Sequence, residues 1–450
     1  MKTEKNKFYK TVLKIAVPVT LQALLQSSFG IVDQIMTGQL GSVSIAGIGL
    51  ASRFASIFSV LVSAIAAVAG IMIAQYMGKR DNREVNRSLC INFLVAFFLA
   101  GLFTAVGILM PEQVMILYTK DVLVREAAVE YLTIVVLTFL PMTISSMISP
   151  LLRCMEEAAL PLWAGICSAV LNSILNYILI FGRCGFPALG VRGAAIATVF
   201  AQMMNSVLIV FFLLRCSKKQ ECRWKPEFVL GMSKEKRRQY LGILLPVFVC
   251  EFAWSLGENT YGMIYGHMGT AACAAMTLTG PIQGLVIGAL TGVSQAAGVI
   301  IGKTLGSGEE KQAYEQSKKI MYYGMTGSLV LSVILLIGSR YYVSLYCVEE
   351  EVKKLAVQIL FVFALISPVK VQNMITGGGI IRSGGKTKYV MWIDIIGTWI
   401  FGVPLGMLGA FVLQIKIPWV YFLLSLEECV RWIICLYFFQ KRSWMNILEE

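Results

Sequence analysis

The chain has 450 residues, 57% of them hydrophobic and only 14% charged, with a formal net charge of +13. A soluble domain carries about a quarter charged residues, so this composition excludes a water-soluble globule and requires much of the surface to lie in lipid. The basic excess does not point to nucleic acid, because it is dispersed among short segments between apolar runs.

About 20 apolar residues cross a bilayer, and twelve such runs follow one another along the chain. Helices are predicted at 15–36, 47–75, 89–110, 129–150, 160–182 and 193–214, then at 241–265, 273–301, 320–338, 355–376, 389–411 and 417–439. Strands of about ten alternating residues are missing from the pattern, which argues against a β-barrel. The first run contains Pro18 and Asp33 and lacks a small-x-small cleavage site, so it reads as the first spanning helix rather than a signal peptide.

Lys and Arg are distributed unevenly. With the amino terminus inside, the inner segments hold 28 of them, the outer loops hold 8, and Arg53, Lys370 and Arg431 fall within spans. This bias predicts that both termini are cytoplasmic. The eleven cysteines form no C-x-x-C pair and lie mostly in apolar runs, as expected of small buried hydrophobes in a reducing compartment.

The two halves repeat. An offset of 228 carries Pro18 onto Pro246, Gly38 onto Gly266, Gly41 onto Gly269, Ala46 onto Ala274, Gly70 onto Gly298 and Gly78 onto Gly306. Further on, Leu117-Tyr118 falls on Leu345-Tyr346, and Arg153 on Arg382 after one insertion. Six helices per unit bring both units in from the same side, so the repeats are parallel. The predicted organisation is an amino-terminal six-helix bundle over 1–214, a cytoplasmic basic linker over 215–238 and a carboxy-terminal bundle over 239–450. In such architectures the substrate path lies between the halves. A duplicated scaffold or membrane enzyme is the alternative.

A charge at the bilayer centre costs roughly 2.5–3.5 kcal/mol, so each buried charge needs a reason. Asp33 is the acid within a span of the first half, about 19 residues into its helix. A carboxyl there is placed to take up a proton outside and release it inside, or to hold Na⁺. Asn172 and Asn176 share a face of the fifth helix, and Thr198, Gln202 and Asn205 lie on the sixth. These side chains either complete a polar cavity around Asp33 or tie helices together. On the seventh helix, Glu251, Trp254 and Glu258 are spaced by 3 and 4, a carboxylate–aromatic–carboxylate stripe suited to a lipophilic cation. Lys370 is its possible counter-ion, and a self-satisfied Glu–Lys pair is the alternative. Asp394 is expected to pair with Arg382, Lys386 or Lys388, and Glu427 and Glu428 with Arg431. Pro18, Pro141, Pro246, Pro368 and Pro404 interrupt spans and mark kinks or hinges.

Enzymatic motifs fail. Gly302-Lys303-Thr304 and Gly385-Lys386-Thr387 lack the upstream glycine of a phosphate loop, since Ala297 and Ile380 stand there. The single histidine, His267, supports neither a zinc site nor a Ser-His-Asp triad.

Taken in order, several segments resemble the multidrug and toxic compound extrusion (MATE) transporters over nearly the whole chain. They are Pro18, Ile31-Val32-Asp33-Gln34-Ile35-Met36-Thr37-Gly38, Ala74-Gln75-Tyr76-Met77-Gly78, the run from Leu171 to Gly182, Gly193-Ala194-Ala195-Ile196-Ala197-Thr198, and Arg382-Ser383-Gly384-Gly385 leading to Asp394 and Pro404. The resemblance implies an all-α membrane protein with twelve helices in two parallel six-helix repeats, arranged as V-shaped bundles. It implies a secondary antiporter of the cell membrane, of bacterial inner-membrane type, that exports amphipathic or cationic organic compounds in exchange for H⁺ or Na⁺. No catalytic cofactor, metal or nucleic acid is expected; lipids surround it, and it acts as a monomer. Asp33 matches the first-helix Asp implicated in cation coupling in that family, and Asn172, Asn176 and Thr198 match positions of its amino-terminal polar cavity; the four are the candidate cation-coupling residues. Some relatives carry Asp where this chain has Asn176, and the stretch Val371-Gln372-Asn373 lacks an acid that another branch carries. Gln34, Glu251, Trp254, Glu258 and Lys370 are the candidate substrate-binding residues. A lipid-linked sugar flippase of similar architecture is the runner-up, and it would need a basic cavity for pyrophosphate.

Overall fold

A computed structural model describes residues 2–219, 234–346 and 348–448; most of the expected linker, 220–233, lies outside them. The described residues contain long helices and no strand. They are α1 (Lys2–Gly38), α2 (Ser42–Gly78), α3 (Asn82–Leu109), α4 (Val122–Cys154), α5 (Ala159–Phe181) and α6 (Val191–Lys219). The second half supplies α7 (Lys234–His267), α8 (Thr270–Gly306), α9 (Glu310–Ser344), α10 (Glu350–Ile381), α11 (Thr387–Val412) and α12 (Ile417–Gln440). A short helix, Pro111–Ile116, joins α3 to α4.

Twelve helices stand where twelve were predicted, most of them longer by a turn or more. Eleven are long and apolar enough to cross a membrane on hydropathy alone. The twelfth, α12, carries Glu427, Glu428 and Arg431 in mid-helix, and all three are buried. Their mutual pairing, described below, is what makes such a span tolerable. The protein is therefore a multi-pass membrane protein.

Local chemistry sets the helix ends. Asp81 caps α3 by accepting from the N–H groups of Arg83 and Glu84 at 3.0 and 3.1 Å, and Asp121 caps α4 from Leu123 and Val124 at 2.9 and 3.2 Å. α5 stops at Gly182, whose φ of 66° suits a residue without Cβ. α4 tightens to a 3₁₀ turn over Val136–Thr138, just before Pro141, which has no N–H to continue the ladder.

The chain forms two compact units. One comprises 21–73 and 81–232. Its core includes Phe54, Phe58, Phe103 and Phe139, with the rings of Phe58 and Phe139 stacked at 4.2 Å. Within it α5 and α6 approach closely, because a side chain at Gly193 would overlap the Leu179 carbonyl, and Ser168 donates to the Ala201 carbonyl at 2.7 Å.

The other unit comprises 1–20, 74–80 and 233–450. The start of α1 joins it through one apolar face, Val12, Ile15, Ala16 and Val19, all buried. Thr20 donates to the Ala289 carbonyl at 3.0 Å. The last turns of α2 cross α8 in this unit. A Cβ on Gly78 would overlap the Lys303 carbonyl, and one on Gly306 would overlap the Gln75 carbonyl. Gly78 and Gly306 are equivalent by the 228 offset, and so are Gln75 and Lys303. The crossing is thus two-fold symmetric, and this glycine pair of the repeat stands where two backbones touch.

The carboxy terminus folds back onto the same place. Trp444 is fully buried, and its carbonyl packs on Gly384. Gln75 donates to the carbonyls of Ser383 at 2.7 Å and Asn446 at 3.1 Å, and accepts from the Leu448 N–H at 2.8 Å. Gln75→Leu keeps the volume but strands two carbonyls and one N–H. It is expected to destabilise the protein by about 2 kcal/mol, visible as a lower melting temperature in detergent and as earlier proteolysis after Gln440. An unchanged melting temperature would show that the tail contributes nothing to the fold.

Candidate functional site

The amino-half cluster grows from three helices within the unit 21–73 and 81–232. α1 brings Asp33, five residues before its end. α5 brings Asn172 and Asn176, one turn apart, and α6 brings Thr198. Asn176 donates through Nδ2 to Asp33 Oδ1 at 2.6 Å and to Asn172 Oδ1 at 3.1 Å. Asn172 donates to Thr198 Oγ1 at 3.5 Å, and Thr198 donates to the Ala194 carbonyl at 2.9 Å. Asn176 is 0% exposed, and its Oδ1 is buried with no hydrogen-bond partner. A buried acceptor left open beside a carboxylate is a costly arrangement unless a cation or a proton donor visits it. The oxygens of Asp33, Asn172, Asn176 and Thr198 are hard donors, the chemistry that suits Na⁺ or a proton rather than a soft metal.

Tyr131 of α4 is buried beside Asp33 and in hydrogen-bond reach of Thr198. Sequence reasoning missed it. The only signal available was an aromatic hydroxyl in the outer part of an apolar span. Gln34, the neighbour of Asp33, is exposed. Gln202 and Asn205 stand apart from the Asp33 hydrogen bonds; Asn205 donates to Ser145 Oγ at 3.2 Å.

The carboxy half carries a denser network. Trp254 is 46% exposed and Glu258 is also exposed, on one face of α7. Glu251, in the same stripe, is held by Arg382 at 3.1 Å. Lys370 lies 3.7 Å from Glu428 instead. The sequence pattern places Arg382 between two spans, just before Asp394. It stands at the end of α10 because Met374–Ile381 is a π-helical stretch with three successive glycines, which turns its face differently from an α-helix. Asp394 lies against Cys250 Sγ at 2.8 Å and Arg431 at 3.7 Å.

Arg431 is the hub. Besides Asp394 it reaches Glu427 at 3.6 Å and Glu428 at 3.9 Å, and it donates to Thr398 Oγ1. The Tyr261 hydroxyl donates to Glu427, and Asn373 donates to Glu428 at 2.8 Å. α11 leaves room for these side chains at Gly397, against Arg431, and at Gly402, against Glu427 and Tyr261, both in a second π-helical stretch, Ile396–Gly402. Counting Glu251, Glu258, Asp394, Glu427 and Glu428 against Lys370, Arg382 and Arg431, the network is acidic on balance. It offers no excess of cations to a pyrophosphate.

Comparison with known proteins agrees with this architecture. The family model MatE matches residues 18–178 and again residues 246–408, one match in each half, with starts 228 residues apart. The uncharacterized transporter YisQ of Bacillus subtilis is 23% identical over 430 residues, covering 95% of this chain and 93% of that one. A probable multidrug resistance protein NorM of Thermotoga maritima is 24% identical over 425 residues, covering 91% and 90%. The fold matches that of the solved Vibrio cholerae MATE transporter VcmN with a TM-score of 0.89, at 17% identity and with 98% of each chain covered.

Proposed function

The chain belongs to the MatE family of multidrug and toxic compound extrusion transporters, and from that premise we propose that it is a secondary antiporter of the cell membrane, exporting amphipathic organic cations in exchange for H⁺ or Na⁺. The observation that carries the reading is the Asp33 cluster, in which a carboxylate and an unsatisfied buried amide oxygen stand together.

Asp33 is the exchanging carboxylate. Asn172, Asn176 and Thr198 supply the other oxygens that a coupling ion meets. On the substrate side, the exposed Trp254 and Glu258 offer an aromatic face and a negative charge to a lipophilic cation. Gln34, Glu251 and Lys370 extend that reading; the last two are already engaged with Arg382 and Glu428 and would act by releasing those partners. Both termini face the cytoplasm, as the Lys/Arg bias requires, and the monomer is the working unit. Relative motion of the two repeats, 1–214 and 239–450, alternates access.

The energetics suffice. One elementary charge crossing 100 mV supplies about 2.3 kcal/mol, and about 1.4 kcal/mol is a tenfold concentration ratio. The test is uptake of a fluorescent lipophilic cation by proteoliposomes under an imposed pH gradient or an imposed Na⁺ gradient. One of the two gradients is expected to drive accumulation at least tenfold above a liposome control, and the matching ionophore to abolish it. Accumulation that ignores both gradients would refute ion coupling.

A further inference from the structure

The basic end of α7 holds a feature that export does not use. A groove of about 670 Å³ runs between α7 and the start of α11, within a single unit. Its mouth carries Lys234, Arg237, Arg238 and Lys388. None of the four has an acidic partner among the described residues, and Glu235, the acid on the same turn of α7, does not line the groove. Below the charges the wall turns apolar, with Leu241, Leu245 and Val249 on α7 and Met391 on α11. The three α7 side chains are between 42% and 57% exposed. Their spacing of four puts them on one helix face. From Leu241 to Val249 that face extends about 12 Å, most of the ~15 Å hydrocarbon depth of one leaflet.

We propose that this groove is a binding site for one anionic phospholipid, its phosphate held by Lys234, Arg237, Arg238 and Lys388 and an acyl chain lying along Leu241, Leu245 and Val249. Charge complementarity selects the head group, since four unpaired cations converge on one opening. The apolar continuation selects a lipid over a soluble phosphate. Gly242 gives the groove its depth. A Cβ built there meets nothing within 4 Å, so the space in front of it is open. Pro246, where α7 lacks a ladder hydrogen bond, stands in the groove wall itself, and Glu251 follows two residues after Val249.

Two variants of the full-length protein separate this site from general attraction to acidic lipid. K234Q/R237Q/R238Q/K388Q removes the charge. Gly242→Leu leaves all four charges in place and fills the groove, and it favours the helix because glycine is a poor helix former. The protein, delipidated in detergent, is titrated with phosphatidylglycerol, phosphatidylcholine or soluble glycerol phosphate, and bound adducts are counted by native mass spectrometry. Wild type is expected to retain one phosphatidylglycerol about tenfold better than phosphatidylcholine. Glycerol phosphate is expected neither to bind nor to compete, and both variants are expected to lose the preference while keeping the wild-type melting temperature. The proposal is overturned if Gly242→Leu binds phosphatidylglycerol as wild type does. It is also overturned if glycerol phosphate displaces the lipid, which would make the site one for free phosphate. Because the readout is binding, the result does not depend on whether the protein exports cations.

Discussion

Asp33→Asn is expected to lower gradient-driven export by about 100-fold, equivalent to some 2.7 kcal/mol at the rate-limiting step, while the protein still folds. The substitution is isosteric. Its amide oxygen still accepts from Asn176 Nδ2, the bond that Asp33 Oδ1 receives at 2.6 Å, so the link between α1 and α5 survives. What disappears is the negative charge, and with it any reason for a cation to visit the open Asn176 Oδ1. Substrate binding in detergent should change much less than export, which separates coupling from recognition. Thr198→Ala, which removes one oxygen at the far end of the chain of contacts, should lower export by less than tenfold. Export by Asp33→Asn at the wild-type rate would remove this carboxylate from the mechanism.

Arg431→Met is expected to be the most damaging single change to stability, costing about 3–5 kcal/mol. Arg431 is 7% exposed and stands within 3.6–3.9 Å of three carboxylates, two of them on its own helix. Without it, Asp394 and Glu427 lose their ion-pair partner, and Glu428 keeps only Lys370. Removing one member of a buried charge network leaves the others uncompensated, which costs more than the network's net contribution. Arg431→Lys should recover only part of the loss, since one ammonium cannot span three carboxylates and also reach Thr398. Adding Asp394→Asn and Glu427→Gln to Arg431→Met should restore much of the melting temperature. The check is thermal unfolding followed by size-exclusion fluorescence, and a single mutant as stable as wild type would show the network to be solvated.

The architecture was legible because lipid leaves so few solutions. Long apolar runs must be helices when backbone groups have no water to bond, and one glycine pair at the 228 offset, Gly78 and Gly306, stands at a symmetric crossing of two backbones. The Asp33 cluster was legible in part. A spacing of four places Asn172 and Asn176 on one face, and a charge in a span draws polar partners. Tyr131 was not legible, because α4 reaches the cluster through its tertiary packing. In the carboxy half, the reading from sequence paired Asp394 with the basic residues just before it. The π-helical stretches in α10 and α11 rotate Arg382 toward Glu251 and open Gly397 and Gly402 to α12. A pattern read at 3.6 residues per turn cannot anticipate that shift. The charges of α12 lowered its apolar signal at the point where the network is built.

The most direct test of the account is ion release evoked by substrate from the purified protein. Wild type in weakly buffered detergent solution is mixed with a lipophilic cation while released H⁺ and Na⁺ are followed. Binding is expected to expel about one ion per protein, the same ion in excess to weaken substrate binding, and Asp33→Asn to release none. Equal release by wild type and Asp33→Asn, or substrate binding indifferent to both ions, would contradict it.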